Sequence, residues 1–211
     1  MAQSSLNSLK LYGVGAVDSA QTTSPAEGTQ LVRYRALAAI VEPTTYSAVK
    51  LDEDEMEKYL RVLHEVHLHS AVLPAPPGTV FRSQATLLGW LELHYFTLTE
   101  ALSSVEGHSA ARVSIVAKRE QQEADAEKSF SALAAESLRL LRGHAGATVN
   151  LPADDADDDD VVVRASFLVD SERWASFEEA VAAEGRRQTA LDFRVSGPWP
   201  PYDFVRMQFG T

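Results

Sequence analysis

Apolar positions along the chain change period several times, and each change marks an element. Lys10–Val17 (KLYGVGAV) is a short apolar run, and the polar, Ser/Thr/Gly/Pro-containing stretch Asp18–Gln30 follows it. This pattern predicts a buried strand and then a loop. Leu31–Val41 is a second apolar run with β-branched ends, and it stops at Glu42-Pro43, where proline disfavours a continuing helix or central strand. It reads as one strand. From Asp52 onward Met56, Leu60, Leu63 and His67 recur at helical steps, and Asp52 with Glu55 forms a capping-box start, so a helix is predicted over Glu53–Ala71. Pro74, Pro76 and Pro77 then force Val72–Phe81 to be extended, with a turn at Gly78. Ser83 caps the next predicted helix, whose stripe of Leu87, Leu88, Leu91, Tyr95, Leu98 and Leu102 runs to Ser104.

The pattern breaks at Glu106–Ala110 and restarts. Ala111–Ala117 alternates as a strand, Glu120–Arg142 has a helical face of Phe130, Leu133, Leu138 and Leu141, and Val161–Val169 is the strongest strand of the chain. Asp170 or Ser171 caps a helix bearing Trp174, Phe177 and Val181, and Ala190–Val195 returns as a strand. The fold class is therefore α+β, in two small domains with helices packed on one sheet face: 1–107, and 108–211 with an acidic loop over 144–160. The second half reads as a β-α-β-β-α-β ferredoxin-like unit lacking one strand.

Composition supports a packed core, since 45% of the residues are apolar and 23% charged. The balance of 19 Lys+Arg against 30 Asp+Glu gives a net charge of −11, which excludes a general nucleic-acid binder. Six Asp fall within Asp154–Asp160, and like charges at that density favour a solvated loop. With no Cys, disulfides, thiolate metal sites and thiol nucleophiles are excluded. Met1–Lys10 is polar and unlike a secretion leader, and the apolar runs are interrupted by charges, so a cytoplasmic location with no membrane partner is expected.

Candidate chemistry is thin. Gly13-Val-Gly15 follows a strand, but Asp18 replaces the third glycine of a dinucleotide fingerprint, and neither a phosphate loop nor a G-x-S-x-G elbow is present. His64, His67 and His69 lack the i, i+4 spacing that aims two imidazoles at one metal. A calcium loop begun at Asp155 would have Asp160 where glycine is needed. Glu65, Glu92 and Glu100 fall on solvated helix faces and form no acid–base pair. No metal, cofactor or catalytic set is expected, and the chain does not read as an enzyme. The most unusual segment is Gly197, Pro198, Trp199, Pro200, Pro201 and Tyr202, where three prolines stiffen the backbone around two aromatic rings. Such a segment either anchors a partner or caps the domain's own core.

In sequence, Ser196–Val205 (SGPWPPYDFV) resembles the C-terminal signature of the gas vesicle accessory proteins of the F/L family. Leu11–Val14 (LYGV), Tyr34–Val41 (YRALAAIV), the His64-Glu65 helix, Val72–Phe81 and Phe167–Asp170 (FLVD) stand in the order that family shows. Ala75-Pro76-Pro77 and the acidic loop depart from it. The resemblance implies an N-terminal α+β domain and a C-terminal modified ferredoxin-like domain. It further implies an accessory or minor structural protein for making gas vesicles, located at the vesicle and in the cytoplasm. Its implied partners are the hydrophobic major shell subunit and other gas vesicle accessory proteins. The competing reading, a ferredoxin-like small-molecule sensor or enzyme, requires a pocket with convergent polar groups.

Overall fold

The computed structural model describes residues 8–16, 28–46, 50–118, 126–152 and 160–205. The chain divides into two compact units, Met1–Glu106 with Pro200–Thr211, and Gly107–Trp199. Of the described residues after Trp199, Pro200–Val205 group with the first unit.

In the first unit, β1 (Ser8–Ala16), β2 (Gln30–Tyr34), β3 (Leu37–Thr44) and β4 (Val72–Pro74) form an antiparallel sheet in the order β2-β3-β1-β4. The short β5 (Val80–Phe81) also pairs with β1. The single strand expected over Leu31–Val41 is a hairpin, with Tyr34 opposite Leu37 across Arg35-Ala36. Arg35 takes φ 52, a turn conformation that Asn or Gly usually supplies, so no residue type announced it.

Three helices follow: α1 (Glu53–His67), α2 (Gln84–Leu93) and α3 (Tyr95–Val105). The Asp52 carboxylate accepts from the Glu55 amide at 3.1 Å, and the Ser83 hydroxyl accepts from Thr86 at 3.2 Å, so both expected caps are formed. The second expected helix is broken at His94, where neither Gly nor Pro flags it. The helices cover both sheet faces rather than one. Leu9, Leu11 and Val14 of β1 meet Leu87, Leu91, Leu98 and Leu102, whereas Tyr12 meets Tyr59, Val62, Leu63 and Val66 of α1. A register shift between Leu11 and Gly13 allows this division, and it explains why β1 reads as a continuous apolar run.

The second unit contains β6 (His108–Ala117), α4 (Ala126–Leu141), β7 (Ala147–Leu151), β8 (Val161–Asp170), α5 (Trp174–Arg187) and β9 (Leu191–Trp199). Its antiparallel sheet runs β7-β8-β6-β9, so the β-α-β-β-α-β set is complete. The strand expected to be missing is β7, a half-exposed edge strand too weakly patterned to stand out beside the acidic run. Ala111, Val113, Ile115, Phe167 and Val169 pack against Phe130, Leu138, Leu141, Phe177 and Val181. Between β7 and β8, residues 153–159, which hold most of the Asp run, lie outside the described residues, as do residues 120–125 of the helix expected over Glu120–Arg142.

Candidate functional site

The proline-aromatic segment falls into two parts with different surroundings. Gly197, Pro198 and Trp199 end β9, with Trp199 opposite Ala110 of β6. Gly197 has φ 137, and a Cβ there would stand 2.7 Å from the Ala110 carbonyl oxygen and 2.7 Å from the Trp174 ring. Only glycine fits that position. The Gly197–Pro198 peptide is cis. Trp199 is 38% exposed, and its indole N–H donates to the Ser196 hydroxyl at 3.2 Å.

The rest of the segment belongs to the first unit. Pro200 and Pro201 are buried, and their carbonyls accept from the amides of Tyr202 at 2.7 Å and Phe204 at 3.1 Å. The Tyr202 ring lies 6.4 Å from Tyr59, which stacks on Tyr12 at 6.2 Å. Tyr202 therefore extends the core beneath α1. Of the two aromatics singled out in the sequence, Tyr202 is half-buried against the core of the first unit and Trp199 is partly exposed at the end of the second.

A polar cluster invisible in the sequence lies on the α1 side of the first sheet. The Lys10 ammonium contacts Glu42 Oε2 at 2.7 Å and also Glu55, while Lys58 contacts Glu42 Oε1 at 2.6 Å. The Tyr12 hydroxyl donates to Glu42 at 2.7 Å, and the Tyr59 hydroxyl donates to the Ala75 carbonyl at 2.5 Å. Burial opposes the charge on Glu42, but hydrogen bonds from Lys10, Lys58 and Tyr12 outweigh it and lower the pKa to about 2. At Lys10, burial likewise opposes the charge and the bonds to Glu42 and Glu55 overcome it, raising the pKa above its usual range. Burial raises Tyr12 and Tyr59. Groups held so far from neutrality do not exchange protons there, so the cluster is suited to fixing α1 rather than to acid–base chemistry.

His64 and His67 share α1. Burial, and then His64, lowers the His67 pKa and keeps that imidazole neutral. Among the described residues no group of three or more His, Asp or Glu side chains is placed to hold a metal ion. A shallow cleft of about 280 Å³ in the second unit is lined by Ser131, Ala134, Leu138, Arg142, Asn150 and Val162. None of its lining residues, which also include Ala135 and Val163, carries a carboxylate or an imidazole, so it offers no convergent acid and base. No described helix is long and apolar enough to cross a membrane.

Among the described residues the most exposed large apolar side chains are elsewhere, at the break between α2 and α3: Leu93 is 79% and Phe96 82% exposed. Leu93 and Phe96 lie off the inward stripe and carry no motif, so nothing in the apolar pattern singles them out.

Comparisons with known proteins agree with one another. The family model described as gas vesicle synthesis protein GvpL/GvpF matches residues 9–147 and 117–206. Gas vesicle protein F1 of Halobacterium salinarum is 27% identical over 196 residues, covering 88% of this chain and 85% of that protein. Gas vesicle protein F of Haloferax mediterranei is 27% identical over 190 residues, with coverage of 88% and 85%. The crystal structure of GvpF from Anabaena sp. is similar with a TM-score of 0.80 at 14% identity, covering 96% of this chain and 100% of that one. GvpF from Microcystis aeruginosa gives 0.74 at 12% identity, covering 95% and 99%. At these identities the structural likeness speaks for the two-domain α+β fold.

Proposed function

Because the chain belongs to the gas vesicle synthesis protein GvpL/GvpF family, we propose that it is an accessory protein required for gas vesicle assembly, binding the hydrophobic shell subunit and other accessory proteins. The observation that carries this reading is the family match, which spans both units. Physical chemistry supports it. An apolar subunit aggregates unless its surface is covered, and a chain of net charge −11 that presents exposed apolar side chains can cover it and keep the complex dispersed. In this reading the protein works in the cytoplasm and at the vesicle. Gly197, Pro198 and Trp199 are exposed, whereas Pro200 and Pro201 are buried and Tyr202 is half-buried, which supports a partner contact at Trp199.

Co-expression of the tagged chain with the major shell subunit tests the reading. Specific co-purification, with a larger soluble fraction of the subunit, is the expected outcome. A folded chain that neither retains the subunit nor changes its solubility would refute it. Trp199→Ala measures what the exposed end of β9 contributes, since truncating an anchor of this kind weakens binding by about tenfold or more.

A further inference from the structure

We infer that the groove between α4 and the edge strand β7 binds the extended C-terminal segment of a partner polypeptide, which adds to β7 as a further antiparallel strand with its free carboxylate beside Arg142.

The first observation is a difference between the two edges of the sheet β7-β8-β6-β9. The β9 edge carries Asp192, Arg194 and Pro198, residue types that discourage another strand from pairing. The β7 edge, Ala147–Leu151 (ATVNL), has no charge and no proline, and it is exposed or half-buried along its length. Among the described residues β8 is its only strand neighbour, so one row of backbone N–H and C=O groups faces away from the sheet.

The second observation is the cleft of about 280 Å³ beside this edge. Ala134 and Ala135 leave room on the α4 side, Val162 and Val163 come from β8, and Asn150 brings β7 itself into the lining. A strand added to β7 turns alternate side chains toward the helix layer, so an apolar side chain of that strand meets the cleft.

The third observation is charge and direction. Arg142 also lines the cleft; it and Arg139, three residues earlier, are exposed, and neither pairs with a carboxylate among the described residues. No lining residue is acidic. Every strand pair in this sheet is antiparallel, and a strand added in the same sense ends toward Ala147, the end of β7 that Arg142–His144 leads into. The Asp run follows Leu151, at the other end of the strand. A free C-terminal carboxylate is the group that both complements the two arginines and stands where an antiparallel strand stops.

The test begins with random hexapeptides bearing free C-termini, displayed on phage and selected on the intact chain. The most enriched peptide is then synthesised as the acid and as the C-terminal amide. Both are titrated by fluorescence anisotropy against wild type, Arg142→Gln, and Ala135→Trp, which fills the cleft from an exposed position. The acid is expected to bind wild type about tenfold more tightly than the amide, Arg142→Gln to remove most of that difference, and Ala135→Trp to weaken the acid about tenfold. Equal affinity for acid and amide, or a preference that survives Arg142→Gln, would overturn the carboxylate contact. A selection that enriches nothing, or a peptide that binds Ala135→Trp as tightly as wild type, would overturn the site. A wild type that sediments as a dimer, with Ala135→Trp monomeric, would overturn the named occupant by assigning the edge to a second copy. Both substituted positions are exposed, so unchanged thermal midpoints are expected.

Discussion

The sheet of the first unit is covered on both faces, but by different chemistry. Toward α2 and α3 the contact is almost wholly hydrocarbon, with Leu9, Leu11, Val14, Leu37 and Val41 meeting Leu87, Leu91, Leu98 and Leu102. Toward α1, β1 supplies Lys10 and Tyr12, which join Glu42, Glu55 and Lys58 in one hydrogen-bonded cluster beside the Tyr12–Tyr59–Tyr202 rings. Hydrocarbon burial is strong but nondirectional, whereas charged hydrogen bonds contribute less net stability and fix orientation. The dry face holds two helices by side-chain packing alone; the polar face fixes α1 through directional bonds beside the ring of Tyr202.

That comparison can be broken most directly on the dry face. Leu91→Ala removes a fully buried side chain and is expected to lower unfolding stability by about 3 kcal/mol, read from urea denaturation midpoints. On the polar face, Lys10→Met leaves Glu55 without its lysine and Glu42 with only Lys58 and Tyr12. A loss of about 2 kcal/mol is expected, and a loss as large as that of Leu91→Ala would erase the distinction between the faces. The smallest effect is on pH dependence. Glu42 has a lower pKa folded than unfolded, so its contribution is complete above about 4.5 and is lost as pH falls through about 2. Wild type should lose about 1 kcal/mol more than Glu42→Gln over that window, a modest amount because water screens the cluster. Equal acid sensitivity in the two proteins would show that Glu42 does not fix the polar face.

Much of this was legible in the sequence because it is local. The caps at Asp52 and Ser83, the turn at Gly78 with φ 81, and the strong strand at Val161 each depend on side chains within a few residues. Hidden features depend on partners far along the chain. The hairpin at Arg35-Ala36 lacks the usual turn residues, β7 is a half-exposed edge, and Lys10 finds Glu42 and Glu55 at separations no periodicity encodes. The proline-aromatic segment was conspicuous as a motif, but its division between an exposed Trp199 and a packed Tyr202 follows from which side chains surround each ring.

The sequence by itself determined the α+β class, the acidic balance and the family, since composition, periodicity and ordered motifs are properties of the chain read along its length. Only the tertiary structure decided that helices cover both faces of the first sheet, that Pro200–Val205 return to the first unit, and that Arg35 meets Tyr34 and Tyr95 beside an exposed Phe96. Apolar periodicity states that a residue is buried but not against what, because the hydrophobic effect has no preferred partner. The partner is chosen when distant segments pack, and the surfaces that could bind another protein are what that packing leaves uncovered.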